Sequence, residues 1–377
     1  MKTVLVGVGQ AGGKVATALT QYDDEMGFHA VRDAIAVNSA KPDLRDLPLD
    51  TVLVGQDVVK GHGVGGDNEL GAEVMQRDAD EVMSELSPKI DSQTEAIFVV
   101  AGLGGGTGSG GAPVLAKELS RVYDVPVYAI GILPGRDEGA LYQANAGRSL
   151  KTLAREADAT ILIDNDAWRE VGDSVAEGMA AINESIARRI GLLLAAGEPV
   201  EDRSLGLGGG GLDRDVAQSV VDTSEVINTL RSGGLAAVGY AESEASDDAD
   251  DNVNVVTSTT RQALLTGTSL PDATDADAAL LVVAGQPDKL SRKGVEHARS
   301  WVEEETGSME VRGGDFPLDT DRISSLVLLS GVERSQRVQE FMNRAADAQA
   351  EADERTDGQR KRDAAETFQN DELDDLL

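Results

Sequence analysis

The sequence predicts an α/β protein: a doubly wound, Rossmann-like parallel sheet with a smaller α/β unit after it, joined by a central helix. Two observations carry this. Short apolar runs bounded by turn residues, "TVLVGVG", "AIAVNS", "TVLVGQ", "AIFVVAG", "VYAIGIL" and "TILIDN", recur through residues 1–165 with mostly helical patterns between several of them, as strands buried on both faces do. A second group, "AALLVVAG", "MEVRGG" and "ISSLVLLSG", follows later in the chain.

In chain order, the first run ends in glycine and opens a helix. The runs to "TILIDN" then build one sheet, whose ligands belong outside the carboxyl ends of its strands, where each glycine-rich segment falls. Over 173–196, Met179, Ile182, Ile186, Ile190 and Leu193 share a helical stripe. A glycine-rich polar loop at 199–215 precedes a helical run at 216–232, and "SEASDDADDN" at 243–252 reads as a solvated loop. Helical patterns are expected at 287–305 and from Glu333, where Val338, Phe341, Met342 and Ala345 form a stripe. Beyond about residue 350, large apolar side chains nearly vanish until "DELDDLL", so the tail is expected to be disordered or partner-dependent.

With 377 residues, the chain is long enough for about two domains. Its net charge of −33 argues against nucleic-acid binding, which needs basic surface to displace phosphate counterions. Acids spread over nearly every segment suit a salty cytoplasm, where the Debye length falls to about 3 Å. The expectation is a halophilic source, and full stability in dilute buffer would contradict it. Aromatic residues make up only 3%, so the core is expected to be aliphatic. There are no cysteines, and His29, His62 and His297 lack metal-ligand spacing. The N-terminal run is too short and too glycine-broken for a signal or spanning segment, so a soluble, cytoplasmic protein without membrane insertion is expected.

"GVGQAG" matches the dinucleotide fingerprint, with Gly7, Gly9 and Gly12, which alone would indicate an NAD-dependent oxidoreductase. That reading wants an acid at the end of the next strand, where Asn38 stands; the oxidoreductase remains the alternative. "AGLGGGTGSGGAP" holds seven glycines in thirteen positions after another strand. It lacks the lysine of a P-loop and the glycine spacing of a nucleophile elbow around Ser109. Its backbone N–H groups and the following helix terminus suit an anion instead.

These residues resemble the tubulin and FtsZ superfamily of GTPases, and most of all its archaeal CetZ branch. "GGGTGSG" is similar to that superfamily's signature, and the other segments follow in order from residue 1 to about 345. The resemblance implies nucleotide contacts from Gly9, Gln10, Ala11, Gly12 and Lys14 in the first loop, and from Asn38 in the second. It implies further contacts from Gly63, Gly65, Gly66 and Asn68 in the γ-phosphate-sensing third loop, and from Gly104, Gly105, Gly106, Thr107 and Gly108 in the fourth. Glu138 and Tyr142 fall on the ribose side, and Asn165 and Asn183 at the base.

Asp222 and Glu225, placed together on one helical face, match the two acids of the T7 loop, which completes the site of an adjacent subunit. The implied protein is a GTP-hydrolysing, cell-shaping cytoskeletal polymer with GTP/GDP and Mg²⁺ as cofactors and itself as partner, plus an unidentified partner for the acidic tail. No direct metal ligand is assigned. Asp67, Asn68 and Glu69 are candidate outer-shell groups, although the two acids equally suit a helix N-terminus. The implied division is 1–172 for GTP binding, 173–196 for the central helix, 197–235 for the T7 loop and following helix, 236–345 for the C-terminal activation domain and 346–377 for the tail. A division-ring FtsZ is a further alternative, from which the chain departs at Tyr142, where FtsZ carries Arg, and at "DELDDLL", which lacks the FtsZ adaptor peptide. A nonhydrolysing GTP-binding protein is a third reading.

Overall fold

The computed structural model describes residues 1–167, 175–196, 221–247, 251–273, 275–351 and 354. Its elements run β1 (Thr3–Val8), α1 (Gly9–Met26), β2 (Val31–Asn38), α2 (Lys41–Leu44), β3 (Asp50–Leu53), α3 (Gln56–Val59), α4 (Asn68–Arg77), α5 (Ala79–Leu86), β4 (Ala96–Gly102), α6 (Thr107–Val122), β5 (Val127–Leu133), α7 (Ala140–Glu156) and β6 (Ala159–Asp164). There follow α8 (Val175–Ala196), α9 (Thr223–Leu230), β7 (Leu235–Glu244), α10 (Asn252–Leu265), β8 (Asp275–Gly285), α11 (Arg292–Thr306), β9 (Glu310–Pro317) and β10 (Arg322–Arg334). A terminal helix occupies 336–351.

All the strands expected over 1–165 form, and they pair in parallel in the order β3-β2-β1-β4-β5-β6, the doubly wound arrangement. β1, β5 and β6 are buried along their whole length, which is why they read as continuous apolar runs rather than alternating ones. The second unit continues the same sheet: β7 joins β6 in parallel, β10 lies antiparallel between β7 and β8, and β9 closes the edge.

Two aliphatic layers cover the sheet. Leu115 of α6 and Leu150 of α7 belong to one; Leu19 of α1, Ile190 of α8 and Val226 of α9 belong to the other. Each fully buried Val or Leu contributes about 1.5–3 kcal/mol relative to exposure. Few aromatics interrupt this packing; the Phe98 and Tyr128 rings meet at 5.3 Å.

The second unit holds the departures from expectation. β7, "LAAVGYAESE", and α10, rich in Thr, were not foreseen, because small and β-branched residues give weak periodicity. The stretch expected as a solvated loop at 243–252 supplies the end of β7, and its last residue, Asn252, is fully buried. That side chain takes an N–H from Ser246 and donates to the carbonyls of Ser246 and Lys289. The helix expected from 287 begins at Arg292, capped by Ser291. The one expected from Glu333 starts only after β10 ends at Arg334, and Ser335 caps it. Of the run at 216–232, residues 216–220 lie outside the described part, as do the loop at 199–215 and nearly all the tail. Among the described residues, no helix is long and apolar enough to cross a membrane.

Candidate functional site

β1, β2, β4, β5 and β6 end at one rim, and the chain leaving them surrounds a cavity of about 480 Å³. Its wall includes Val8, Asn38, Gly102, Leu133 and Asn165, each at or next to the carboxyl end of one of these strands.

The first and fourth loops touch because both give up side chains. Gly9 adopts φ +74°, and a Cβ there would lie 2.8 Å from the Gly108 nitrogen. α1 and α6 both begin at the cavity without a side-chain cap, so their first N–H groups remain for an anion, with the helix dipoles aligned toward it. Ser39 and Thr107 hydroxyls, 2.7 Å apart, join the second loop to the fourth. Asn145 of α7, 3% exposed, joins the third to the fourth: its amide donates to Gly66 O at 2.8 Å, Gly104 O at 3.1 Å and Gly105 O at 3.3 Å.

On the far side, Gly135 N–H donates to Glu138 Oε1, and the Tyr142 side chain packs over Gly104. Asn165 is 8% exposed, and its Oδ1 has no hydrogen-bond partner among the described residues. Asn183 reaches the wall from α8. So does Met179, which leaves the expected stripe and is 41% exposed, whereas Ile182, Ile186, Ile190 and Leu193 are buried.

Gly9, Gln10, Ala11, Asn38, Gly63, Gly65, Gly66, Gly104, Gly105, Gly106, Thr107, Gly108, Glu138, Tyr142, Asn165 and Asn183 therefore share one cavity. Gly12, Lys14 and Asn68 do not line it. Gly12 faces β4, where a Cβ would meet Val100 O at 2.1 Å, so its glycine is required by helix–strand packing. Lys14 is exposed on α1. Asn68 starts α4, which Asp67 caps by accepting the Leu70 N–H at 3.0 Å, and Glu69 pairs with Arg148 at 3.3 Å. Both acids thus take the helix-terminal role. The run "GSGGAP" also divides in function: Gly108 lines the cavity, but a Cβ on Gly110 would lie 2.0 Å from Asn68 O, so Gly110 lets α4 and α6 close together.

Sequence reasoning passed over Asp43. Its carboxylate lines the cavity and accepts from Gln10 Nε2 at 3.3 Å and Asn38 Nδ2 at 3.2 Å. The signal was available: an acid shortly after the second strand, within reach of two amides already singled out. Among the described residues, the wall contains Asp43, Glu138 and His62 but no Lys or Arg. No cluster of three or more His, Asp or Glu suited to a metal ion occurs among the described residues.

Asp222 and Glu225 lie elsewhere. Thr223, between them, donates to Glu95 Oε2 at 3.1 Å, and Glu95 immediately precedes β4. The cavity opens at the other end of that strand, whose seven residues at about 3.3 Å each separate the two places by about 20 Å. Nor do the acids ride together on a helical face. Asp222 is the N-cap of α9 and Glu225 its third residue, locked in a capping box: Asp222 Oδ1 accepts Glu225 N–H at 3.0 Å, and Glu225 Oε2 accepts Asp222 N–H at 3.4 Å. The Ser224 hydroxyl holds the Asp222 carboxyl below its ordinary range. Burial raises that of Glu225, the Asp222 charge adding to the effect.

A doubly wound sheet whose strand ends close backbone loops around one cavity, with helix N-termini aimed into it, defines a nucleotide-binding α/β protein. Residues 2–173 match the Tubulin/FtsZ family GTPase domain, and residues 172–347 match the C-terminal domain of tubulin-like CetZ. The tubulin-like protein CetZ2 of Haloferax volcanii is 65% identical over all of both chains. The solved GTPγS-bound protofilament of CetZ2 from that organism superposes with a TM-score of 0.87 at 66% identity, covering 94% of this chain and all of that one. The GDP-bound monomer of Haloferax volcanii CetZ1 gives 0.83 at 47% identity, covering 93% and 100%. The chain belongs to the CetZ family of the tubulin/FtsZ superfamily. These matches do not favour the NAD-dependent oxidoreductase or the division-ring FtsZ, and their source fits the high-salt reading of the composition.

Proposed function

We propose that this chain binds GTP in the cavity, stacks head to tail into filaments, and hydrolyses GTP where one copy's Asp222 and Glu225 meet the nucleotide of the next, so that its polymers shape an archaeal cell from the cytoplasm. The separation of the acids from the cavity carries the reading. About 20 Å along β4 is too far for a carboxylate to orient water in its own subunit, whereas stacking apposes the two ends. Such contacts between unlike surfaces do not close on themselves, so they propagate. The GTPγS-bound protofilament of the CetZ2 relative supports both binding and stacking.

In this reading 1–172 binds GTP, 173–196 connects, 197–235 holds the T7 acids and 236–345 is the activation domain. The acidic segment at 346–377 offers a docking tail for a further partner. Backbone N–H groups of the glycine loops cradle the phosphates, and Asn165 and Asn183 read the base. Ionised Asp222 and the more basic Glu225 orient the attacking water, two carboxylates set apart by their surroundings.

Among the described residues the wall offers carboxylates and amides and no cationic side chain to the phosphates, a donor set that fits a hydrated Mg²⁺ bound with the nucleotide. Asp43, a carboxylate of that wall, would be the acid available to its water shell. When bound, the ion offsets the negative charge of the phosphate oxygens.

Phosphate release followed against protein concentration at molar KCl, with GTP and Mg²⁺, tests the reading. Specific activity is expected to rise steeply above a threshold, in step with light scattering and with filaments seen by electron microscopy that GDP does not support. A specific activity independent of concentration would refute catalysis between subunits.

A further inference from the structure

β6 ends at Asp164, and Asn165–Ala167 form a single turn of 3-10 helix into the cavity wall. The residues on either side of Asn165 are both acids, and one guanidinium holds both. Arg337, from the start of the terminal helix, donates through Nε and Nη2 to Asp164 at 2.5 and 2.8 Å and through Nη2 to Asp166 Oδ2 at 3.0 Å. The Arg337 and Asp164 side chains are only 3% and 2% exposed. Asp166 also accepts the backbone N–H of Arg136 at 3.0 Å, in the loop that carries Glu138, and its own N–H donates to Asp164 Oδ1 at 3.2 Å.

A buried ion pair of this kind is weak evidence for stability, because desolvation offsets much of the attraction. Its geometric effect is definite. A planar fork bridging two carboxylates allows little freedom to the one residue between them. That residue, Asn165, holds a buried acceptor without a partner among the described residues. A buried acceptor left unpartnered on a residue that lines the cavity suits a ligand donor, and guanine differs from hypoxanthine by one donor group, its exocyclic amine.

We propose that Arg337 is a positioning residue for base selection, fixing Asn165 through the carboxylates on both sides so that its Oδ1 accepts from the guanine amine. The inference rests on the guanine-nucleotide reading above. It makes base recognition depend on a residue 171 positions further along the chain than Asp166, contributed by the terminal helix.

The test is calorimetric titration of the full chain with GDP and with IDP at molar KCl. Wild type is expected to prefer GDP. Arg337→Lys keeps the charge but cannot bridge both acids in one plane, and it should lower the GDP-to-IDP affinity ratio about 3- to 10-fold, the loss of one hydrogen bond, with IDP affinity nearly unchanged. In an Asn165→Ala background the same substitution should change the ratio no further, since the two act as one unit. A purely structural role would weaken both nucleotides equally. That outcome, or an unchanged ratio, overturns the inference.

Should Arg337→Lys fail to fold, Asp166→Asn serves instead. It keeps an acceptor for Arg136 N–H but removes the charge facing Arg337, and it is expected to lower the ratio; an unchanged ratio again overturns the inference. A wild type that binds GDP and IDP equally sinks the inference alone, whereas one that binds neither sinks the nucleotide reading with it.

Discussion

Glu225→Gln separates the two roles the structure allows this residue. As a cap, Glu225 supplies the weaker half of the capping box, a 3.4 Å contact to Asp222 N–H near the outer limit of a hydrogen bond. Gln retains a carbonyl acceptor for it, and the stronger half, Asp222 Oδ1 to Glu225 N–H at 3.0 Å, does not involve the exchanged group. The stability cost is therefore about 0.5 kcal/mol or less, which in a chain of this size shifts Tm by under about 2 °C. As the group that orients water for the neighbour's nucleotide, the carboxylate is worth about 100- to 10,000-fold in turnover, or about 2.7–5.4 kcal/mol of barrier.

Only the second role predicts a large effect. Phosphate release, measured above the assembly threshold with differential scanning calorimetry alongside, should show turnover falling at least 100-fold at nearly unchanged Tm and GTP affinity, while polymer accumulates and persists. Turnover within about threefold of wild type in assembled Glu225→Gln would confine the residue to the cap and refute the reasoning.

Burial raises the Glu225 carboxyl above the ordinary glutamate value of 4.5, so its basic form is lost as pH falls through a midpoint above that value, and turnover at saturating polymer should decline there; a flat profile to pH 4.5 would contradict the role. In Gly110→Ala the added Cβ meets Asn68 O at 2.0 Å and Ala72 N at 2.5 Å, backbone that cannot rotate away, so forcing α4 from α6 should cost about 1–3 kcal/mol and lower Tm by about 1–4 °C. An unchanged Tm would show that the helices are not so closely set. Asn145→Ala removes the donor shared by Gly66, Gly104 and Gly105, about 1–3 kcal/mol of unmet acceptors; competition binding should show GTPγS weakened more than GDP, and equal weakening would argue against a link to the γ-phosphate loop.

Much of the fold and the cavity was legible in the residues. Runs such as "AIFVVAG" are buried on both faces of a parallel sheet, and that environment leaves no polar alternation to mislead the reading. The cavity-lining glycines of the fourth loop were legible because so dense a glycine run directly after a buried strand marks backbone kept clear of side chains. β7 and α10 were not, since Ala, Gly and Thr carry little periodic signal and their placement depends on neighbours. Asp222 and Glu225 could be found as a pair, but their spacing fits a helix face and a capping box equally, and only the backbone around Asp222, extended rather than helical, separates the two.

Local chemistry along the chain determined the strands of the first unit, the anion-suited loops and the acidic, aliphatic character of the protein, because each follows from a residue and its near neighbours. Tertiary structure alone decided three other matters. It carried one sheet through both units, joined at β6 and β7. It set the acids at the opposite end of β4 from the cavity, and it brought Arg337 onto both sides of Asn165. These are contacts between segments far apart in sequence, so no spacing rule encodes them. They are fixed when burial of two apolar layers brings the strand ends and the terminal helix into register.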